Sequence, residues 1–264
     1  MFDISNKKIW VAGHNGMVGS AIIRRLEKEN CKVLKVDKKE LNLINQKSTE
    51  DWIFYNKPEI IILAAAKVGG IKFNMQNKAA FLYENLMIQN NIIYAASKLN
   101  IEKLVFLGSS CIYPKETSQP ISEEALMQGA LEETNEGYAI AKIAGLKLCK
   151  FINEELNKKF ISVMPSNIFG VNDNFDPENS HVLGALLRKI YLAKITDSKK
   201  VEIWGTGKPR REFLYVDDLA DAILFLLRNY NSSLPINVGT SKETTILQIA
   251  RIISNELKSN KKIV

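Results

Sequence analysis

No apolar run in this chain is long enough to cross a bilayer. The longest clean one, Ile60 to Ala66, falls far short of the roughly 20 residues a helical span needs. The opening residues, Met1-Phe2-Asp3-Ile4-Ser5-Asn6-Lys7-Lys8, lack an apolar core followed by a small-residue cleavage site, so they do not read as a secretion signal. Cysteine is scarce. There are three, an odd number without metal-ligand spacing, which points away from a disulfide framework or a metal site and towards a reducing compartment. The expectation is a cytoplasmic protein with no membrane contact and no metal. Basic runs interleaved with stacking aromatics are also missing. The net charge of +7 therefore reads as a lysine-rich solvated surface, and no nucleic-acid partner is expected. Repeats and low-complexity tracts are absent as well.

What is there is an ordinary globular composition, 46% hydrophobic over 264 residues, enough for one sizeable α/β domain and a smaller lobe. Strand-like apolar runs alternate with helical periodicity, the pattern of βαβ units around a parallel sheet. Strands are expected at 9–12, 32–36, 60–65, 103–107 and 160–164, and helices at 17–29, 79–99 and 138–155. The unbroken apolar character of 60–65 suits a strand buried on both faces. After Pro165 the texture changes. A polar loop spans 172–180, a helix 182–193, and short strands at 201–204 and 235–238 flank a helix at 216–228. The expected fold is α/β, a Rossmann-type doubly wound parallel sheet over residues 1–165. A smaller substrate lobe over 166–264 is interleaved with the end of the core sheet.

Three clusters carry the chemistry. Gly13-His14-Asn15-Gly16-Met17-Val18-Gly19 follows the first strand and opens the first helix. Its glycines let the backbone turn tightly and approach a pyrophosphate, which the N–H groups of a helix N-terminus attract. The strand before and the helix after raise this motif above a simple glycine turn. Asp37 closes the second strand, where an acid takes the ribose hydroxyls of NAD and repels a 2′-phosphate; Lys38 beside it would attract one. Next, Ser109 or Ser110 falls just past the strand at 103–107, at the carboxyl edge of the sheet, where a hydroxyl can hydrogen-bond a substrate carbonyl. Finally, Tyr138 and Lys142 stand four apart on one helix face. There an ammonium lowers the tyrosine pKa and readies it to pass a proton. Together these groups point to carbonyl–alcohol interconversion coupled to hydride transfer.

On these stretches the chain resembles the extended short-chain dehydrogenase/reductases and, more narrowly, the GDP-L-fucose synthase family, epimerase–reductases acting on GDP-4-keto-6-deoxy-mannose. The most specific matches are Ala64-Ala65-Ala66-Lys67-Val68-Gly69-Gly70 and Ser109-Ser110-Cys111-Ile112-Tyr113-Pro114. Asn179-Ser180-His181-Val182 and Arg211-Glu212-Phe213-Leu214 extend the likeness over nearly the whole chain. The resemblance implies a reductase triad of Ser109, Tyr138 and Lys142, and a proton-moving pair, Cys111 and His181. It implies cofactor contacts from Gly13, Asn15, Gly16, Met17, Val18, Gly19, Asp37 and Lys38. Ala64, Ala65 and Ala66 join them, as do Tyr138, Lys142, Pro165, Asn167 and Ile168. Ser110, Asn167, His181, Arg188, Lys189, Trp204 and Arg211 would contact a GDP-sugar substrate. The implied cofactor is NADP(H). A homodimer formed through the helices at 79–99 and 138–155 is implied too.

A ketone at carbon 4 acidifies the hydrogens at carbons 3 and 5, because either anion delocalises onto the ketone oxygen. Ser109 and Tyr138 would hold that enolate as an oxyanion hole does. Cys111 and His181 would remove and return protons, thiolate and imidazole both being usable near neutral pH, before hydride reduces the same ketone.

The sequence departs from the family pattern in three places. Asn15 stands where an arginine is usual and Asp37 where a small polar residue is common. Both changes remove attraction for a 2′-phosphate, so a weakened NADPH preference is expected, which leaves open NADPH versus NADH and retention of tightly bound NAD(H). Gly137 replaces a proline just before Tyr138. Family members continue for several dozen residues past the position of Val264, so groups that close the substrate lobe are expected outside this sequence. Two rival functions share the fold. A C4-reductase of another GDP-4-keto-6-deoxy sugar, such as a heptose, need not epimerise. A non-catalytic dinucleotide sensor needs neither Cys111 and His181 nor the Tyr138–Lys142 pair.

Overall fold

Burial of isoleucine- and leucine-rich strands organises the chain. The computed structural model describes residues 1–177, 179–196 and 198–264. Glu178, within the polar loop expected at 172–180, and Asp197 lie outside the described residues. The first part runs β1 (Lys8–Ala12), α1 (Met17–Leu26), β2 (Lys32–Leu34), α2 (Gln46–Asn56), β3 (Ile60–Leu63), α3 (Ile71–Gln76), α4 (Lys78–Lys98), β4 (Lys103–Leu107), α5 (Glu136–Leu156) and β5 (Phe160–Pro165). The second runs β6 (Asn167–Phe169), α6 (Val182–Ile195), β7 (Lys200–Val201), β8 (Arg210–Tyr215) and α7 (Val216–Asn229). It ends with β9 (Ile236–Val238), β10 (Glu243–Thr245), α8 (Ile246–Glu256) and β11 (Lys262–Ile263).

The main sheet has the order β2-β1-β3-β4-β5-β9, and every pairing in it is parallel. From β1 the chain goes first to one side and then to the other, so the topological switch point lies between β1 and β3, where α/β sheets of this kind bind ligands. Helices α1 and α7 cover one face, with Ile22, Leu26, Leu219 and Ile223 against Ile9, Val11, Ile62 and Val105. Helices α2, α4 and α5 cover the other, with Ile53, Ile92, Ala96 and Leu146 against Trp10, Ile61, Leu63 and Phe106. Thus α7 and β9, beyond residue 165, return to the core sheet. The remaining C-terminal elements form two small sheets, β10-β8-β6 and β11-β7, beside a cluster of Leu186 and Ile190 from α6 with Ala250 and Ile253 from α8. Among the described residues, no helix is long and apolar enough to cross a membrane.

Boundaries expected from periodicity hold within a few residues for the core. The strand expected at 201–204 shrinks to Lys200–Val201, leaving Trp204 in a turn and exposed. The polar helix α2 and the charged strand β8 have no counterpart among the expected elements.

One close approach positions the site. A Cβ on Gly145 would lie 2.6 Å from the Phe106 ring and 2.8 Å from the Gln89 amide carbon, so only glycine lets α5 lie this tightly on β4 and α4. Gln89 Nε2 donates to the Ala141 carbonyl at 2.5 Å and fixes the same contact from α4. Gly145→Val is therefore expected to cost about 1–3 kcal/mol through overpacking, read as a lower denaturant midpoint at unchanged slope. An unchanged midpoint would remove this contact from the account.

Candidate active site

Strand β1 ends at Ala12, and the chain turns at Gly13 with φ +88°. A Cβ there would meet the Ala65 nitrogen at 2.6 Å, so the turn is pressed onto the end of β3 at the switch point. Ala64 N–H donates to the Ala12 carbonyl at 2.9 Å, and Ala64, Ala65 and Ala66 are half-buried behind the turn. Gly16 caps α1 without a side chain and is exposed, which leaves the first-turn N–H groups approachable by an anion. Met17 and Val18 pack into the core while their backbone faces that end. This cradle fits a dinucleotide pyrophosphate.

Strand β2 stops at Leu34, so Asp37 does not close it as expected but lies in the following loop, exposed. Asn15 Nδ2 donates to its Oδ1 at 2.6 Å, and His14 Nε2 lies 3.5 Å from the same oxygen. The carboxylate is thus turned towards the glycine-rich turn and shaped by it, and its side chain does not serve merely as a turn cap. Lys38 is exposed beside it.

Beyond β4, Ser109 caps a short turn over Ser110–Ile112, its Oγ accepting from the Cys111 N–H at 3.3 Å. The turn faces the N-terminal end of α5. Tyr138 lies close enough to Ser109 and Cys111 for both to act on its phenol. Asn135 Nδ2 donates to Cys111 Sγ at 3.2 Å. Ser109, Cys111 and Tyr138 therefore form one cluster, with Ser110 half-buried alongside. Gly137, where the family carries proline, has Lys78 of α4 against it: a Cβ would lie 2.6 Å from that carbonyl oxygen.

Lys142 is buried and donates to the Leu107 carbonyl at 2.8 Å, with its ammonium 5.7 Å from the Tyr138 ring centroid. The expected lysine-driven lowering of the tyrosine pKa is not found. Burial pushes the Tyr138 phenol well above its ordinary value, Cys111 adding to the effect and Ser109 opposing it. Burial also lowers Lys142 to about 8. Geometry brings the pair together, but desolvation is the leading cause of both shifts.

The proton-moving candidates behave alike. Burial raises the Cys111 thiol, against hydrogen bonds from Ser109, its own amide and Asn135 and against the charge of Arg211. His181 opens α6 and is exposed, yet desolvation lowers its pKa, with Asp173 pulling the other way. Both therefore rest uncharged at neutral pH, and the thiolate expected from the sequence is not the resting form. The segment before His181 is tied to the loop after β3, the Gly70 N–H donating to the Asn179 carbonyl at 3.0 Å, and His181 stands apart from the Ser109–Cys111–Tyr138 cluster.

The remaining sequence-derived residues spread over the second lobe. Asn167 Nδ2 donates to the Glu212 carbonyl at 2.9 Å, on the β6–β8 pairing that also carries Ile168 beside Leu214. Pro165 ends β5, buried. Arg211 is exposed and donates to the Arg210 carbonyl at 2.7 Å. Arg188 holds the Phe175 carbonyl at 2.8 Å, and the Lys189 ammonium sits 5.1 Å over the Trp204 ring, which is 70% exposed. Asn135 and Asp173 are the site neighbours that sequence reasoning missed. An asparagine before a helix reads as a cap, which hides any other use.

Comparison with known proteins agrees with this arrangement. Residues 9–239 match the model of the NAD dependent epimerase/dehydratase family. The GDP-L-fucose synthase of Sinorhizobium fredii is 50% identical, covering 96% of this chain and 81% of its own length. A solved GDP-L-fucose synthetase from Naegleria fowleri, bound to NADP, superposes with TM-score 0.92 at 31% identity, covering 100% of this chain and 81% of that one. A GDP-6-OMe-4-keto-L-xylo-heptose reductase from C. jejuni superposes with TM-score 0.94 at 35% identity, covering 98% and 86%. With its glycine-rich turn, parallel sheet and Ser–Tyr–Lys cluster, this chain belongs to the NAD dependent epimerase/dehydratase family and, within it, to the GDP-L-fucose synthases.

Proposed function

We propose that this chain is an NAD(P)H-dependent epimerase–reductase that converts GDP-4-keto-6-deoxy-D-mannose to GDP-L-fucose, epimerising carbons 3 and 5 and reducing the ketone at carbon 4. The observation that carries the reading is the meeting of Ser109, Cys111 and Tyr138 at the carboxyl end of β4, in a chain 50% identical to a GDP-L-fucose synthase.

The Ser109 and Tyr138 hydroxyls donate to the ketone oxygen. As Cys111 and His181 take and return the protons at carbons 3 and 5, charge builds on that oxygen and the two hydroxyls absorb it. Because burial holds the Tyr138 phenol protonated, it remains a donor throughout and then gives its proton to the carbon 4 alkoxide. Lys142, anchored on Leu107, keeps a cation beneath the tyrosine and near the cofactor ribose. When bound, the reduced nicotinamide supplies the hydride. Gly13, Gly16 and Gly19 cradle its pyrophosphate, Met17 and Val18 add backbone N–H groups, and Ala64, Ala65, Ala66, Pro165 and Ile168 line the approach.

In the substrate lobe, Trp204 offers an aromatic face to the guanine and Lys189 borders it. Arg188 and Arg211 supply charge for the diphosphate, and Asn167 and Ser110 address the sugar. Residues 1–165, with the returning α7 and β9, form the cofactor half, and the rest of 166–264 the substrate half. Exposed Tyr83, Tyr94, Ile140 and Phe151 on α4 and α5 support a homodimer through these helices, in the cytoplasm. A C4-reductase of a GDP-keto-heptose is the second reading, favoured by the likeness to the C. jejuni reductase. The hydrogen-bonded setting of Cys111 favours epimerisation.

The two half-reactions should separate by mutation. Cys111→Ser is expected to abolish deuterium uptake from heavy water into carbons 3 and 5 while still binding cofactor. Tyr138→Phe should slow ketone reduction by about 10²–10⁴-fold. Uptake that persists in Cys111→Ser would defeat the proton-moving role of Cys111, and no uptake in the parent would leave a reductase only. Titration of the parent with both reduced cofactors should show NADH bound at least as tightly as NADPH. The Asn15→Arg/Asp37→Ser double variant should swing preference to NADPH by about tenfold or more, the worth of one charge-assisted hydrogen bond. A parent that strongly prefers NADPH contradicts the reading of Asn15 and Asp37.

A further inference from the structure

Asn135 occupies the N-cap of α5 but does not cap it: no side-chain hydrogen bond reaches the first turn. Asparagine is among the strongest N-cap residues, and at α2 the equivalent Asn45 accepts from the Ser48 N–H in the ordinary way. Asn135 instead turns its amide to the site and donates to Cys111 Sγ at 3.2 Å. The arrangement also leaves Asn135 Oδ1 buried without a hydrogen-bond partner. A helix cap and a buried carbonyl are both given up for one contact to sulfur, a sacrifice that packing alone does not account for.

Resting on the proton-transfer reading of Cys111, we propose that Asn135 is the positioning residue for that thiol, holding its sulfur towards the substrate and stabilising the thiolate each time Cys111 gives up its proton. The amide serves both states. Its N–H meets the thiolate lone pairs, and rotation about the Cβ–Cγ bond presents Oδ1 to the S–H. The other groups facing the thiol are Ser109 and the Cys111 amide from its own turn, Tyr138 from α5 and the guanidinium of Arg211 from β8. Arg211 is exposed and solvent-screened, and Tyr138 repels a thiolate only when itself ionised. Among side chains in direct contact, Asn135 and Ser109 are therefore the fixed dipoles that favour the anion.

The test is thiol titration in a Cys31→Ser background, where Cys149 is buried and alkylation by iodoacetamide reports Cys111. Asn135→Ala should move the alkylation midpoint upward by about one pH unit, slowing alkylation at neutral pH about tenfold. Asn135→Asp should move it further, since a carboxylate of the same size opposes the thiolate. Because the Asn135 side chain makes no cap hydrogen bond, Asn135→Ala should retain the parental unfolding midpoint. A purely structural Asn135 would leave the titration of Asn135→Ala at the parental pH, and that result overturns the inference. The readout is independent of turnover. Deuterium uptake surviving in Cys111→Ser would defeat the assignment of Cys111, whereas an unmoved titration would defeat only Asn135.

Discussion

The contact between α5 and β4 at Gly145, Phe106 and Gln89 is the constraint on which the candidate site rests. It fixes the height of one helix over one strand, and the Ser109, Cys111, Tyr138 and Lys142 cluster proposed as catalytic hangs from those two elements, with His181 supplied separately by α6. Ser109, Ser110 and Cys111 leave the end of the strand; Asn135, Tyr138 and Lys142 lie on the first turns of the helix. Lys142 reaches back to the Leu107 carbonyl at 2.8 Å, tying the two a second time. With α5 further out, the phenol, thiol and serine hydroxyl would not meet. The parallel sheet adds the other requirement. Its switch point sets the glycine-rich turn two strands from this cluster, at the same carboxyl edge of the sheet.

Burial then decides how the site behaves. It raises Tyr138 and Cys111 and lowers Lys142 and His181, always favouring the uncharged form. The phenol and the thiol therefore keep their protons at rest, while the imidazole is the neutral base. In the proposed mechanism Lys142 is a standing cation, and negative charge enters when a substrate carbonyl takes electron density beside the Ser109 and Tyr138 hydroxyls. Preorganised dipoles in a dry site cost little reorganisation at that moment.

Much of this was legible from the residues. The glycine-rich turn, the apolar strands and the Tyr138–Lys142 spacing each have a periodicity or local signature that survives folding, and the resemblance supplied Cys111 and His181. The electrostatic outcome was not legible, because spacing says which groups share a face but not how much water they lose. Helix α2 escaped notice because it buries little beyond Thr49 and Ile53 and so lacks an apolar stripe. Strand β8 begins with two arginines and a glutamate, which hide its alternation. Lys103 opens a strand and reads as solvent-facing. It is buried instead, its ammonium held by the Leu227 and Tyr230 carbonyls at 2.6 Å each and by Asn231. The topology that brings α7 across β4 creates that pocket, and nothing near Lys103 in the sequence announces it.

The central claim is that one cluster both epimerises and reduces a single ketone. It is tested most directly by following every new hydrogen in one product. The chain would be incubated in heavy water with GDP-4-keto-6-deoxy-mannose and reduced cofactor deuterated at the transferred position, and the product examined by NMR. The account predicts GDP-L-fucose carrying solvent deuterium at carbons 3 and 5 and cofactor deuterium at carbon 4. A product labelled only at carbon 4, with its neighbouring stereocentres unchanged, would contradict it.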